Sequence, residues 1–254
     1  MIRLHRTLVV VLLAALVAAC ATTPPTKANN DTQVAAKFRE IGSRELGIGR
    51  NSAALRDLLH ARDLDPADAA TRHLLGLAYL RLNRYAEAEA SVKEALRLDP
   101  NMGSAHNTLG SLYSLQHKDA EAVAAYQAAL ATPGYATPEV AHANLGHLYA
   151  RQGDDGAAAT ELRAAMQANP TYQPAYVALA DLLVRGGRTA EARTLLDSAL
   201  TRFPTSARIR LELGKLLIRS RDYRAALRTL KEGQGLAQDP AVREAIARQI
   251  DILE

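Results

Sequence analysis

The feature that most constrains this chain is a period of 34 residues that holds over most of its length. Gly42, Gly76 and Gly110 stand 34 residues apart, Gly146 follows after 36, and Ala180 and Gly214 after 34 each, so one small residue marks six consecutive units. Ala54, Ala88, Ala122, Ala158, Ala192 and Ala226 fall twelve residues after these marks, and Pro66, Pro100, Pro170 and Pro204 fall 24 after theirs. A fixed step of roughly 20–50 residues is the signature of stacked units, each of which buries its apolar face only against its neighbours. Composition agrees: 50 Ala against 2 Phe and no Trp is too little bulk for a single compact core and suits closely packed helices.

The pattern resembles the tetratricopeptide repeat. Its clearest copy runs over residues 69–102, with Leu75-Gly76, Tyr79, Tyr85, Ala88, Ala95 and Pro100 in the family's places. Each residue type has a physical reason. A small residue at place eight of helix A, and Ala at place twenty of helix B, let the two backbones approach. Tyr79, Tyr113 and Tyr149 at place eleven cover the pair, and Leu58, Val92, Tyr126, Leu162, Leu196 and Leu230 pack from helix B. Proline at place 32 lacks an N–H and disfavours helix in the residue before it, which ends helix B. The expected fold is all-α: a right-handed superhelix of six helix pairs plus a C-terminal capping helix, thirteen helices in all, with A helices concave and B helices convex. No domain boundary is expected between 35 and 252.

Two departures from the period are informative. Repeat three ends in residues 131–138 (ATPGYATP), two residues too long and rich in Pro and Gly, which predicts a longer, stiffer connection. Repeat six has Gly233 where Ala is usual and reaches Pro240 two residues late; the following AVREAIARQIDI places Val242, Ile246 and Ile250 on one stripe, which suits a cap over the last repeat.

The first twenty residues read as an address. Arg3 and Arg6 precede an unbroken apolar run over residues 8–19, too short to span a bilayer but suited to a secretory signal. The only cysteine, Cys20, follows Val17-Ala18-Ala19, a sequence that resembles the bacterial lipobox. The resemblance implies removal of residues 1–19, acylation of Cys20 with chains such as palmitate, and, with Ala21 rather than Asp next, sorting to the outer membrane. Residues 20–34 then form a lipidated, disordered tether to a six-repeat domain over 35–254. With Cys20 acylated no thiol remains for a disulfide or catalysis.

Charge and motifs remove several functions. Formal charge is +4, about +2 without Arg3 and Arg6, with no run of five cations and few aromatics, which argues against nucleic acid. The seven His include no H-E-x-x-H pair; Gly47-Ile48-Gly49 lacks the strand and third glycine of a dinucleotide loop; Asp63, Asp65 and Asp68 lack the glycine and final glutamate of a calcium loop. No enzyme activity, metal, cofactor or small-molecule substrate is expected. A partner-binding groove is expected instead, lined from the repeat register by Arg39, Ser43, His73, Leu77, Arg81, Asn107, Ser111, His147, Arg151, Val177, Asp181, Arg185, Leu211, Lys215 and Arg219. Five of the six repeats place Arg or Lys there, which would favour an acidic or C-terminal peptide segment; the alternative is that these cations only solvate helix A.

Lipobox, tether, six repeats, and the long connection leading into Glu139-Val-Ala-His-Ala-Asn144-Leu-Gly-His-Leu-Tyr149 together resemble the type IV pilus pilotin lipoproteins of the PilF/PilW (Tgl-like) family. The resemblance implies a non-enzymatic outer-membrane lipoprotein, anchored by acyl chains, that binds PilQ-like secretin subunits and promotes their targeting and assembly. An adaptor lipoprotein that docks other envelope proteins, such as peptidoglycan enzymes, has the same anchor and fold.

Overall fold

A computed structural model describes residues 27–254, all as helices and short connections. Thirteen helices are described: α1 Lys27–Gly47, α2 Asn51–Leu64, α3 Ala69–Arg81, α4 Tyr85–Leu98, α5 Gly103–Leu115, α6 Asp119–Ala131, α7 Pro138–Gln152, α8 Asp155–Ala168, α9 Gln173–Arg185, α10 Thr189–Arg202, α11 Ala207–Arg219, α12 Tyr223–Leu236 and α13 Pro240–Asp251. This is the expected all-α tetratricopeptide fold. The signal segment, Cys20 and the first part of the tether lie outside the described residues. Residues 27–34, read as tether, are helical and open α1; Ala35 is buried against the fold, and the turns before it continue the helix that burial nucleates.

The chain divides into two units between Arg84 and Tyr85, where the sequence has no linker. A stacked array holds only neighbour contacts, so a division needs no change of composition. The first unit holds α1–α3 and the second α4–α13.

Within each unit the repeat chemistry acts as the spacing predicts. A Cβ added at Gly42 would lie 2.6 Å from Leu58 Cγ, one at Gly110 2.6 Å from Tyr126 Cδ1, one at Gly146 2.8 Å from Leu162 Cγ, and one at Gly214 2.5 Å from Leu230 Cδ2. Place eight is therefore small because the place-24 side chain of helix B fills its space. Ala54, Ala88, Ala122, Ala158, Ala192 and Ala226 at place twenty are all fully buried. The turn from A to B also repeats: place fifteen is left-handed in Gly49, Asn83, His117, Gly153, Gly187 and Arg221. The next amide then donates to the place-eleven carbonyl, as in Arg84 N to Tyr79 O at 2.9 Å and Lys118 N to Tyr113 O at 2.9 Å, which ends helix A in a Schellman arrangement.

In the second unit each A helix (α5, α7, α9, α11) touches the next A helix, whereas among the described residues no B helix touches the next B helix. The A face is thus the narrow, inner side of this unit. After α6 the connection lengthens, and the Tyr135 ring lies over Gly103 at the start of α5, where a Cβ would come within 2.8 Å of it. At the C-terminal end Val242, Ile246 and Ile250 of α13 are buried with Leu230 and Leu211. Gly233 leaves room for this, since a Cβ there would sit 3.2 Å from Ile246 Cδ1 and 3.1 Å from Arg210 Cβ.

Candidate functional site

In the first unit the expected groove cations are structural. Arg39 of α1 pairs with Asp68, the N-cap of α3, whose carboxylate also accepts from Ala70 N at 3.1 Å and Thr71 Oγ1 at 2.6 Å. Arg81, at the far end of α3, donates to the Leu46 carbonyl near the C-terminus of α1, where unpaired carbonyls concentrate negative charge. The two arginines thus clasp α1 and α3 at both ends. Burial pushes the Asp68 carboxyl up, but its bonds with Thr71, Arg39 and Ala70 outweigh this and hold it below the ordinary aspartate value. His73 and Leu77 are half-buried beside them, and Ser43 is exposed.

In the second unit the inner face carries a polar ladder and a groove. Asn144 Nδ2 of α7 donates to Asn107 Oδ1 of α5 at 3.1 Å; Tyr126 OH, reaching through from α6, donates to Ser111 Oγ at 3.2 Å. Arg151 of α7 donates to Ser114 Oγ at 3.1 Å and to Asp119. Burial would raise the Asp119 carboxyl, but Gln152, Arg151 and His117 hold it below its usual value. Next along, His147, Val177 and Asp181 line a groove of about 560 Å³ with Pro174, Ala178, Arg208 and Glu212. A recess of about 150 Å³ adjoins it through Asp181 and Glu212, and includes Lys215 and Arg219. Desolvation in this groove depresses the His147 imidazole, with Asp181 opposing and Arg185 adding to the effect.

This geometry changes two expectations. Leu211 does not line the groove: it is 5% exposed, because α13 packs across the end of α11 and draws place five into the terminal core. The face is also less basic than a count of cations implies. Arg151 faces Asp119, Arg185 Nε meets Asp181 Oδ2 at 3.2 Å, and Lys215 Nζ meets Glu212 Oε1 at 2.9 Å. Only Arg208 and Arg219 of this face's cations carry no such pair among the described residues. The inner face therefore offers side-chain amides on its ladder, and in the groove alternating charge over an apolar floor, which suits an extended segment of mixed polarity better than a uniformly acidic one.

Sequence reading missed Arg208 and Glu212. Arg208 holds place two, as does Pro174 of the preceding repeat in the same groove, and could have been found from that register; Glu212 at place six had no such signal. Among the described residues no cluster of three His, Cys, Asp or Glu could hold a metal ion, and no helix is long and apolar enough to cross a membrane.

Tetratricopeptide-repeat family profiles match residues 39–103 and 73–137, and then 149–201 and 187–248. The chain is a tetratricopeptide-repeat protein. The unmatched residues 138–148 follow the lengthened connection, where two added residues break the period. No curated protein sequence matches this tetratricopeptide-repeat protein. Among solved structures it is similar to PilW, a widely conserved type IV pilus biogenesis factor, at a TM-score of 0.70 and 23% identity over 85% of this chain and 99% of that one. It is similar to PilF of Pseudomonas aeruginosa at 0.68 and 18% identity, over 87% of this chain and 99% of that one. A chain of the APC/C hetero-tetramer Cut9-Hcn1 reaches 0.66 at 14% identity, over 85% of this chain and 43% of that one. At these identities the likeness is one of fold.

Proposed function

We propose that this tetratricopeptide-repeat protein is a non-enzymatic scaffold of type IV pilus biogenesis: an outer-membrane lipoprotein, acylated at Cys20, that captures secretin subunits and carries them to the membrane where they assemble. The observation that carries the reading is end-to-end likeness to PilW and PilF, each covered over 99% of its own length, in a chain whose only cysteine follows Val17-Ala18-Ala19. The likeness takes in nearly the whole of both relatives, whereas the chain of the Cut9-Hcn1 assembly is covered over only 43% of its length.

Carriage divides between anchor and body. Acyl chains supply membrane affinity, which grows with each chain. The inner face of the second unit supplies the grip, through the groove of His147, Val177, Asp181, Arg208 and Glu212. Holding one subunit per carrier concentrates subunits at the membrane and turns their encounter into a local event.

The test is a pull-down from detergent-solubilised envelope with the mature protein as bait, read by mass spectrometry, beside the Cys20→Ala strain. Recovery of a secretin, with heat-stable secretin multimers lost from the outer membrane of that strain, is the expected outcome. Recovery of peptidoglycan enzymes with secretin multimers unchanged would replace the reading with that of an envelope adaptor.

A further inference from the structure

Each later repeat hides one stripe of its A helix beneath the preceding B helix. Place seven of that stripe is Leu75, Leu145, Leu179 and Leu213 in repeats two, four, five and six, and none of these is more than 5% exposed. In repeat one the same place is Ile41, 42% exposed, and Ile48, the residue just past the end of α1, is 61% exposed. Places three and ten, apolar or small in the later repeats, are Lys37 and Arg44 here, both exposed. The edge of α1 and the residue that follows it therefore carry half-buried Val34 and exposed Ile41 and Ile48 at seven-residue spacing, with Lys37 and Arg44 between them.

We propose that this edge of α1 lies on an anionic phospholipid surface. Branched apolar side chains alternating with long cations are what an interfacial helix needs: the apolar groups enter the acyl boundary while Lys and Arg extend to phosphate. A second copy of the chain is a poor occupant, since a two-fold pairing sets Lys37 and Arg44 against the same two cations. Arg44 meets Glu40 at 2.9 Å, but their side chains are 70% and 72% exposed, and so open a pair yields readily to a competing phosphate. Position agrees with chemistry. Cys20 precedes the first residue of α1 by seven residues, a reach of at most about 25 Å. This last argument rests on the proposed acylation; the stripe itself does not. Anchor and edge would then set which side of the first unit faces the bilayer.

The experiment uses the mature chain with Cys20→Ala, so no acyl group contributes. Co-sedimentation is measured with vesicles of phosphatidylcholine alone and with 30% phosphatidylglycerol. Binding to the anionic vesicles only, weakened by salt, is expected, with Lys37→Ala and Arg44→Ala each lowering the partition about fivefold. Ile41→Ser should lower it about tenfold, while Arg228→Ala, an exposed cation on α12, should leave it unchanged. Absence of binding, equal loss on Arg228→Ala, or wild-type binding by Lys37→Ala, Arg44→Ala and Ile41→Ser together would overturn the proposal. So would a dimer, seen by light scattering, that Ile41→Ser dissolves. Because acylation is absent from the assay, its failure leaves the secretin reading standing. Conversely, an unmodified Cys20 in the native protein would sink the anchor and leave the vesicle result intact.

Discussion

At the scale of single residues, the repeat imposes a backbone conformation as well as a side-chain pattern. Place fifteen is left-handed in all six A-to-B turns, yet only Gly49, Gly153 and Gly187 adopt that state without a Cβ penalty. His117 and Arg221, with φ of 58° and 62°, carry the cost. His117→Gly and Arg221→Gly should each stabilise the fold by up to about 1 kcal/mol, read as a higher midpoint in denaturant. The opposite sign is expected at place eight. Gly146→Ala would set its Cβ 2.8 Å from Leu162 Cγ and 3.3 Å from the Ala158 carbonyl, and should destabilise by about 1–3 kcal/mol. Acid should act on the first unit through Asp68. Its carboxyl is held below the ordinary value in the folded chain, so its contribution is full above the unfolded aspartate range and is lost as pH falls through the lowered value. Asp68→Asn should flatten that acid limb of a stability–pH profile. The glycines, alanines and prolines behind these effects were legible in the sequence because steric demand repeats with the period. The left-handed places filled by His117 and Arg221 were not, since neither residue type announces that conformation.

Helices and their connections follow from the same register, with exceptions where an element has no repeat neighbour to define it. Helix α13 lacks the repeat pattern but was legible from Val242, Ile246 and Ile250, because a four-residue apolar stripe after the last repeat has one obvious surface to cover. Its packing also takes Leu211 into the core, which place counting assigns to the groove; burial by a non-repeating element lies outside what the period encodes. Ile246 is fully buried, and Ile246→Ala should cost about 2–5 kcal/mol. Hydrogen exchange should show the loss as faster opening of α11–α13 rather than of the whole chain. The early start of α1 was hidden for a different reason: residues 27–34 (KANNDTQV) have no apolar period of their own and are helical as an extension of a helix anchored further on.

For the molecule as a whole, the distribution of charge decides how binding should respond to salt. Reading cations along the chain gave a basic groove, but their partners lie on neighbouring helices or a turn away: Asp119, Asp181 and Glu212. The pairs of Arg185 with Asp181 and Lys215 with Glu212 lie one turn apart on single helices and were legible from spacing, whereas that of Arg151 with Asp119 depends on how helices of successive repeats are placed and was not. A partner seated in the groove should therefore bind with weak dependence on ionic strength, whereas attachment through the Lys37 and Arg44 edge should fall steeply with salt. Titrating secretin capture and vesicle binding over the same salt series separates the two surfaces in one experiment. Val177→Arg, placed in the groove floor, should abolish capture and leave vesicle binding unchanged. The second unit's A helices touch in sequence while its B helices stand apart, and this has a mechanical meaning. The inner layer acts as a row of hinge pins and the outer helices as leaves that meet one another only through the A helix between them. Small rotations at successive pins can open or tighten the inner face without breaking any contact between B helices, so the unit can adjust its curvature to the length of what it holds.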